Sequence, residues 1–479
     1  MEEMIVNQRI IVRFCLTFVL MIIAGLFNAC KLTTLDQNAT TNSQTTLTNA
    51  PITTTNGQSA TTTNDFLLNM PRIDINTNSL DITSFEEYTD CLVTISTGVA
   101  DYNLNQVQAG IRLRGHSTSN FDKKPYRIRF EEKTQPLGLG SGPSRSWVLL
   151  AEYMDISMVR NYITYKLANQ LLRNSFNTEA AYVEVYLNGI NKGVYLMVEQ
   201  TQVGLNRVNI DESGVEDPMI TDTGFLLELE ADASRRNAEG TNMVDWFTVP
   251  GYTNTTIEFG WWNMPDYALS NEVGFYIIKS EAKSFAQIQY IQNYMVSVYD
   301  AIYVTKTFEA VNALVDIESA VDMYLLQLFT NDMDYNYSSN YIYKDAGGKI
   351  IFGPPWDNDL SYGNHYLNKA SDSLHIYHLL YQLSTYEWFQ TMVIQRWNEI
   401  NQPTVNLINQ TKTLITSTST LYQAKFSANH NLWDNTRRDD GWHGIYVRFS
   451  SQALAAAQVS NWIDARIIFM NDLFESWED

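Results

Sequence analysis

The residues of this chain best suited to chemistry are four aspartates. Asp357 and Asp359 lie one residue apart in GPPWDNDLSYGN, directly after a double Pro and a Trp, and Asp332 and Asp334 lie upstream in FTNDMDYNYSSNYIYKDAGGKIIF. Between the pairs runs a short hairpin pattern turned by Ala346, Gly347 and Gly348. Two hairpin strands that run out and back return the chain to its starting edge, so Asp334 and Asp357 can share one site. Carboxylates gathered in this way fit Mg²⁺ or Mn²⁺, hard cations that take oxygen ligands and share them with substrate phosphates. Asp332, just after an Asn at a predicted helix end, reads as a surface or capping residue. Asp357 follows Trp356, a side chain that tends to bury and draws its neighbour inward.

Cations that could face a phosphate sit far upstream. In IRLRG, Ile111 and Leu113 point one way and Arg112 and Arg114 the other; in YRIRF, Tyr126, Ile128 and Phe130 oppose Arg127 and Arg129. The connection GHSTSNFDKKP adds a Gly, small hydroxylated residues, Lys123 and Lys124. Basic strands beside a carboxylate cluster point to phosphoryl transfer, where positioning and charge neutralisation do most of the work. The competing reading is a solvated strand face paired with Glu131 and Glu132. The six His are scattered without metal-ligand spacing, and His116 is most simply a loop residue. There is no Ser nucleophile elbow and no Walker-type loop. Glu152, Glu228 and Glu230 could pair as glycosidase acids, but nothing in their spacing favours that over ordinary strand and loop acids.

The elements that must position these residues follow from periodicity. FLLNMPRIDINT, CLVTIST, IRLRG and PYRIRFEE alternate as half-buried antiparallel strands. DISMVRNYITYKLANQLL has helical spacing through Met158, Ile163, Leu167 and Leu171, with Asp155 placed as a cap. AYVEVYLNGINKGVYLMVEQ is a hairpin around Asn188 and Gly189, ending at Glu199, and GFLLELE is a further strand. From about Phe285 the pattern turns helical, through FAQIQYIQNYMVSVYDAIY and ESAVDMYLLQLFTND, and it closes with SSQALAAAQVSNWIDARIIFMNDLF. A strand-rich half, about 69–280, thus precedes a helix-rich half, about 281–479, and the acids open the second.

With 479 residues, 45% of them hydrophobic, the chain can bury a large core. A formal net charge of −21 argues against nucleic acid as a partner, since sequence-independent affinity there comes from Lys and Arg. In residues 1–30, Arg9 and Arg13 precede an apolar run from Phe14 to Phe27, signal-peptide length and short for a spanning helix. The run ends at Ala29 and Cys30, which resembles a lipoprotein signal whose Cys30 is lipidated. Ordinary secretion or retention as an uncleaved anchor are the alternatives. Residues 31–68, rich in Thr, Asn, Gln and Ser, read as a flexible tether to a domain at 69–479. Besides Cys15 and Cys30 only Cys91 occurs, so once the signal is processed no disulfide framework remains.

Four blocks, RLRGHSTSNFDKKPYRIRF, LLAEYMDISMVRNYITYKLANQL, VEVYLNGINKGVYLMVEQ and DYNYSSNYIYKDAGGKIIFGPPWDNDLSYGN, resemble in order those of the CotH kinase-like family, over roughly Asp74 to Phe474. The resemblance implies an α+β, bilobal protein-kinase-like fold with an N-terminal antiparallel sheet lobe and a C-terminal helical lobe. It also implies ATP, Mg²⁺ or Mn²⁺, and transfer to Ser (or Thr) of a surface or coat protein. It makes Asp334 the catalytic-loop Asp and Asp357 the metal-binding Asp that stands where ordinary kinases carry the Asp of DFG, with Asp359 beside it. It places Glu199 near the nucleotide hinge and Arg114, Lys124, Arg127 and Arg129 near the phosphates. Two positions depart from the kinase pattern. The second metal ligand, an Asn in ordinary kinases, is Ser339 here, followed by Asn340. The helix from Met158 to Leu172 holds no Glu for a Lys–Glu ion pair. An exported, membrane-anchored kinase, or a non-catalytic coat-assembly module on the same fold, is the expectation.

Overall fold

The computed structural model describes residues 70–115, 118, 121–229, 246–250, 273–335, 338–365, 368–371, 379–436 and 446–478. They belong to one compact unit, Ser59–Asp479. The signal-like run, Cys30, the tether, His116 and Glu230 lie outside the described residues.

The chain is α+β, with strands concentrated in its first half and helices in its second. Strands β1 (Arg72–Asn76), β2 (Thr89–Ser96), β3 (Leu104–Leu113), β4 (Tyr126–Thr134), β5 (Ser144–Leu150), β6 (Ala180–Leu187) and β7 (Ile190–Glu199) form a closed barrel in the order β1-β2-β3-β4-β5-β7-β6. An antiparallel sheet lobe is the expectation from sequence; the strands pair so except for β1 with β6, a parallel pairing that closes the sheet into a barrel and removes both edges. Alternation works as anticipated. Ile111, Leu113, Tyr126, Ile128 and Phe130 fill the barrel, while the arginines between them face out. The β6–β7 turn has Asn188 and Gly189 at φ 50° and 79°, the left-handed pair that a two-residue hairpin loop demands.

Outside the barrel, Val148, Leu150, Val194 and Leu196 join a larger core shared with the helices. The helix expected from Asp155 begins later, as α1 (Arg160–Leu171), because Met158 takes φ 61° and cannot continue a right-handed helix toward its N-terminus. Asp155 still serves that end: its carboxylate accepts from the Arg160 N–H at 2.8 Å and ion-pairs with the Arg160 guanidinium, both residues fully buried. A second sheet runs in the order β12-β11-β8-β10-β9, from β8 (Phe225–Leu229), β9 (Trp246–Val249), β10 (Val273–Ile278), β11 (Asn340–Lys344) and β12 (Ile351–Phe352). The helices that follow are α2 (Phe285–Tyr299), opened by a Ser284/Gln287 capping box, α3 (Phe308–Leu314), and α4 (Ile317–Thr330), capped by Asp316. Helices α5 (Leu379–Ser384), α6 (Glu387–Ile400), α7 (Leu407–Trp433) and α8 (Gln452–Glu478) complete the described chain. None of the described helices is long and apolar enough to cross a membrane.

Candidate active site

The acidic stretches meet because α4 and the β11–β12 hairpin deliver them to one place. Helix α4 stops where Asn331 turns left-handed at φ 46°, so the chain carrying Asp332 and Asp334 leaves the helix axis. In the hairpin Ile342 pairs with Phe352 and Tyr343 with Ile351, returning the chain beside its start. The segment beyond is tied back to the helix end: the Tyr362 N–H donates to the Thr330 carbonyl at 2.8 Å, and Asn331 Nδ2 to Asn368 Oδ1 at 2.9 Å. Helix α1 supplies the other brace. Asn161 accepts from the Asn358 N–H at 2.7 Å and donates to Glu152 Oε1 at 3.1 Å, linking the end of β5 to the residue after Asp357.

Glu152, Asp357 and Asp359 line one cleft, and Asp332 and Asp334 lie near enough for the charges of the group to oppose one another. Asp334 is pushed up to about 7, first by burial and then by Asp357, while a 3.2 Å hydrogen bond from the Ser338 hydroxyl works the other way. Glu152 is pushed up to about 8 by burial and Asp155, and Asp357 adds to the effect. Asp332 and Asp359 are raised well above the carboxylate range, mainly by burial, with Asp334 and Asp357 respectively the largest neighbouring charges. Asp357 is also raised by burial, but the Arg114 guanidinium, which lies 5.3 Å from the Trp356 ring centre, pulls it back. One oxygen of Glu152, Oε2, is buried with no hydrogen-bond partner.

Buried carboxyls at this density call for cations. Two line the cleft together with Glu152, Asn161, Asp357 and Asp359: Arg114 and Lys123. Lys123 is 1% exposed, and burial holds it down to about 7 against the attraction of Glu152. Its ammonium donates to the carbonyls of Ala151 and Val194 and to Asn429 Oδ1 at 2.9 Å, so all three hydrogens are used in joining β5, β7 and α7. Lys123 is thus a buried bolt at the rear of the cleft, and Arg114 is the cation that faces Asp357.

A family model described as CotH kinase protein matches residues 111–436, more than half of the chain. The chain belongs to the CotH kinase family. The match opens within β3 and closes just after α7, so all five neighbouring carboxyls of this CotH kinase chain, together with Arg114 and Lys123, fall inside it, while β1, β2 and α8 lie outside. No curated protein matches the chain.

The site residues proposed from sequence fall in three places. Asp357, Asp359 and Arg114 line the cleft, and Asp334 lies near enough to feel the charge of Asp357. Ser339, at φ 59°, lies beside Ser338, their hydroxyl oxygens 3.5 Å apart. Arg127 and Arg129 line a different cavity, with Arg207, and Glu199 is ion-paired with Arg207 at 2.5 Å. Lys124 is half-buried, its carbonyl accepting from the Tyr195 hydroxyl at 3.1 Å, and Lys123 is the lysine in the cleft wall. Asp332, expected at the surface, is 4% exposed; it does cap locally, accepting from the Asp334 N–H at 3.1 Å. Glu228 is held by Lys279 at 2.5 Å and the Tyr341 hydroxyl at 2.7 Å, and its charge adds to those that raise Asp357. Glu152, Ser338 and Asn161 do not stand out for this chemistry in the sequence, and Lys123 stands there only as one of two adjacent lysines that could face a phosphate. Only Glu152 and Lys123 carried a signal, as an acid and a base flanking strands that lead to the site.

The donor set suits a hard divalent cation in one particular way. Among the described residues no three of His, Cys, Asp or Glu converge as a metal cage. Mg²⁺ is ordinarily held by one or two carboxylates, with water and substrate phosphates completing the shell. Asp357 and Asp359, unneutralised except by Arg114, fit that arrangement.

Proposed function

We propose that this protein transfers the γ-phosphoryl group of ATP to the hydroxyl of a Ser or Thr on a surface or coat protein, with a divalent cation, within a bilobal kinase-like arrangement of barrel and helical regions. The observation that carries this reading is the Asp334 carboxyl held near 7 beside Asp357 and Ser338, in a chain of the CotH kinase family. A base poised there is matched to taking a hydroxyl proton at neutral pH. The acceptor oxygen forms a bond to the γ-phosphorus, the bond from that phosphorus to the ADP oxygen breaks, and the hydroxyl proton passes to Asp334. Asp357 and Asp359 would hold the cation, which when bound neutralises charge on the phosphates. Arg114 supplies a fixed positive charge on the same side. Membrane attachment through a lipidated Cys30 would hold the enzyme on the outer face of the cytoplasmic membrane, within reach of surface acceptors.

The direct test is transfer of labelled phosphate from ATP to Ser-rich protein or to the chain itself, with Mn²⁺ or Mg²⁺ and with chelator. Metal-dependent incorporation on Ser or Thr supports the reading. Nucleotide binding without incorporation into any acceptor, the chain included, would favour a non-catalytic coat-assembly module on the same fold.

A further inference from the structure

We propose that the cavity on the outer face of β4 and β5 binds a phosphate monoester without a metal ion, as a site separate from the carboxylate cleft. The inference does not depend on phosphoryl transfer. The cavity has a volume of about 370 Å³ and is walled by Arg127 and Arg129 of β4, Lys133, Arg145 of β5, and Arg207. No Asp or Glu lines it, and it shares no lining residue with the cleft at Asp357. In a chain whose net charge is −21, five cations facing one cavity are a local inversion of the protein's field.

Four of the five cations are not consumed by structure. Among the described residues Arg127, Arg129, Lys133 and Arg145 make no ion pair; Arg127 only donates to the Ser146 hydroxyl at 3.1 Å. Burial, with Arg112, Arg129 and Arg114 behind it, holds the Arg127 pKa below its usual range against Tyr88, so these guanidiniums lie close enough to repel. Arg207 is the second and independent sign. It is 4% exposed and its Nη1 is taken by Glu199 and by the Asn206 carbonyl at 2.8 Å, yet its Nε and Nη2 are buried without a hydrogen-bond partner. A buried guanidinium with open donors, beside four further unpaired cations, lacks an acceptor-rich anion. Planar guanidinium forks match a phosphate's oxygens in pairs, and with Glu199 taken by Arg207 no carboxylate lines the cavity to seat an accompanying cation. Leu205, 78% exposed at the rim, offers apolar surface to whatever carries the phosphate. That carrier is either a nucleotide or a phosphorylated side chain.

The test is calorimetric titration of the full chain in EDTA with inorganic phosphate, then with AMP and phosphoserine as separate arms. The double variant R129Q/R145Q alters two exposed side chains and leaves the core intact. The expected result is phosphate binding in EDTA that weakens at least tenfold in R129Q/R145Q and is unchanged in Asp357→Asn. The tighter of AMP and phosphoserine then identifies the carrier. No binding in EDTA, equal binding by parent and R129Q/R145Q, or a loss in Asp357→Asn as large as in R129Q/R145Q overturns the proposal. Metal-dependent nucleotide binding tested on the same variants reports on the cleft alone, so the two readings fail separately.

Discussion

Asp357 bears on Asp334 across the cleft: after burial, the charge of Asp357 is the largest influence raising the Asp334 carboxyl to about 7. Asp334 comes from the segment after α4 and Asp357 from the segment after β12, so their encounter depends on the β11–β12 hairpin closing in register. A divalent cation seated on Asp357 would reverse that influence, replacing a like charge with an opposite one, and would draw the Asp334 pKa down.

Asp334→Asn is expected to retain nucleotide binding and lose phosphoryl transfer by roughly 10²–10⁴-fold, the usual contribution of a positioned base. The amide fills the same space and still accepts from the Ser338 hydroxyl, but cannot take a proton. In the parent, the rate should rise with pH through the Asp334 pKa, at or below about 7. Equal incorporation of label by parent and variant would remove Asp334 from the chemistry.

Asp357→Ala should abolish the stabilisation that ATP confers in the presence of Mn²⁺ or Mg²⁺. A ligand at a hundred times its Kd contributes about 2.7 kcal/mol, visible as a clear rise in Tm. Melting curves with and without nucleotide, in metal and in EDTA, make the comparison. An unchanged metal-dependent rise in the variant would place the cation elsewhere.

Glu152 sets a pH dependence of stability. Its folded pKa, about 8, lies above the ordinary 4.5, so the folded state keeps a proton that the unfolded chain has lost. The resulting contribution is fully present below about pH 4.5 and is lost as pH rises through about 8. Lys123, held down to about 7, works in the opposite sense above that pH, so the difference between parent and variant is the useful quantity. Glu152→Gln, which removes the ionisation and can keep the bond from Asn161, should gain stability relative to the parent between pH 5 and 8, by an amount on the order of a few kcal/mol. Denaturant midpoints measured in EDTA at several pH values would show it. A constant difference across that range would mean that Glu152 ionises in the fold as it does in water.

Cys30→Ser is expected to move the protein from the membrane fraction to the medium, or to leave it unprocessed at its signal. The apolar run Phe14 to Phe27 is too short to span about 30 Å of hydrocarbon, whereas acyl chains contribute about 0.8 kcal/mol per buried CH₂. Processed variant that sediments with membranes as the parent does would rule out anchoring through Cys30.

Much of this protein was legible locally. Strand alternation around Ile111 and Ile128, the Asn188–Gly189 turn and the hairpin between the two acid pairs depend on neighbours a few residues apart, and each formed where the pattern placed it. The convergence of Asp334 and Asp357 followed from that hairpin alone. Other features are set by contacts between distant segments, which no local pattern encodes. Barrel closure rests on β1 pairing with β6, more than a hundred residues away in the chain. Which of two adjacent lysines enters the cleft was decided by carbonyls of β5 and β7 and by Asn429 of α7, all remote in sequence from Lys123. Strand parity grouped Arg114, Arg127 and Arg129 on one outer face, but the segment carrying Arg207 gives the last two a cavity of their own and leaves Arg114 to Asp357. Glu152 and Asp332 acquired their character only through burial, because a carboxyl's proton affinity depends on the solvent and charges that tertiary packing removes or brings near.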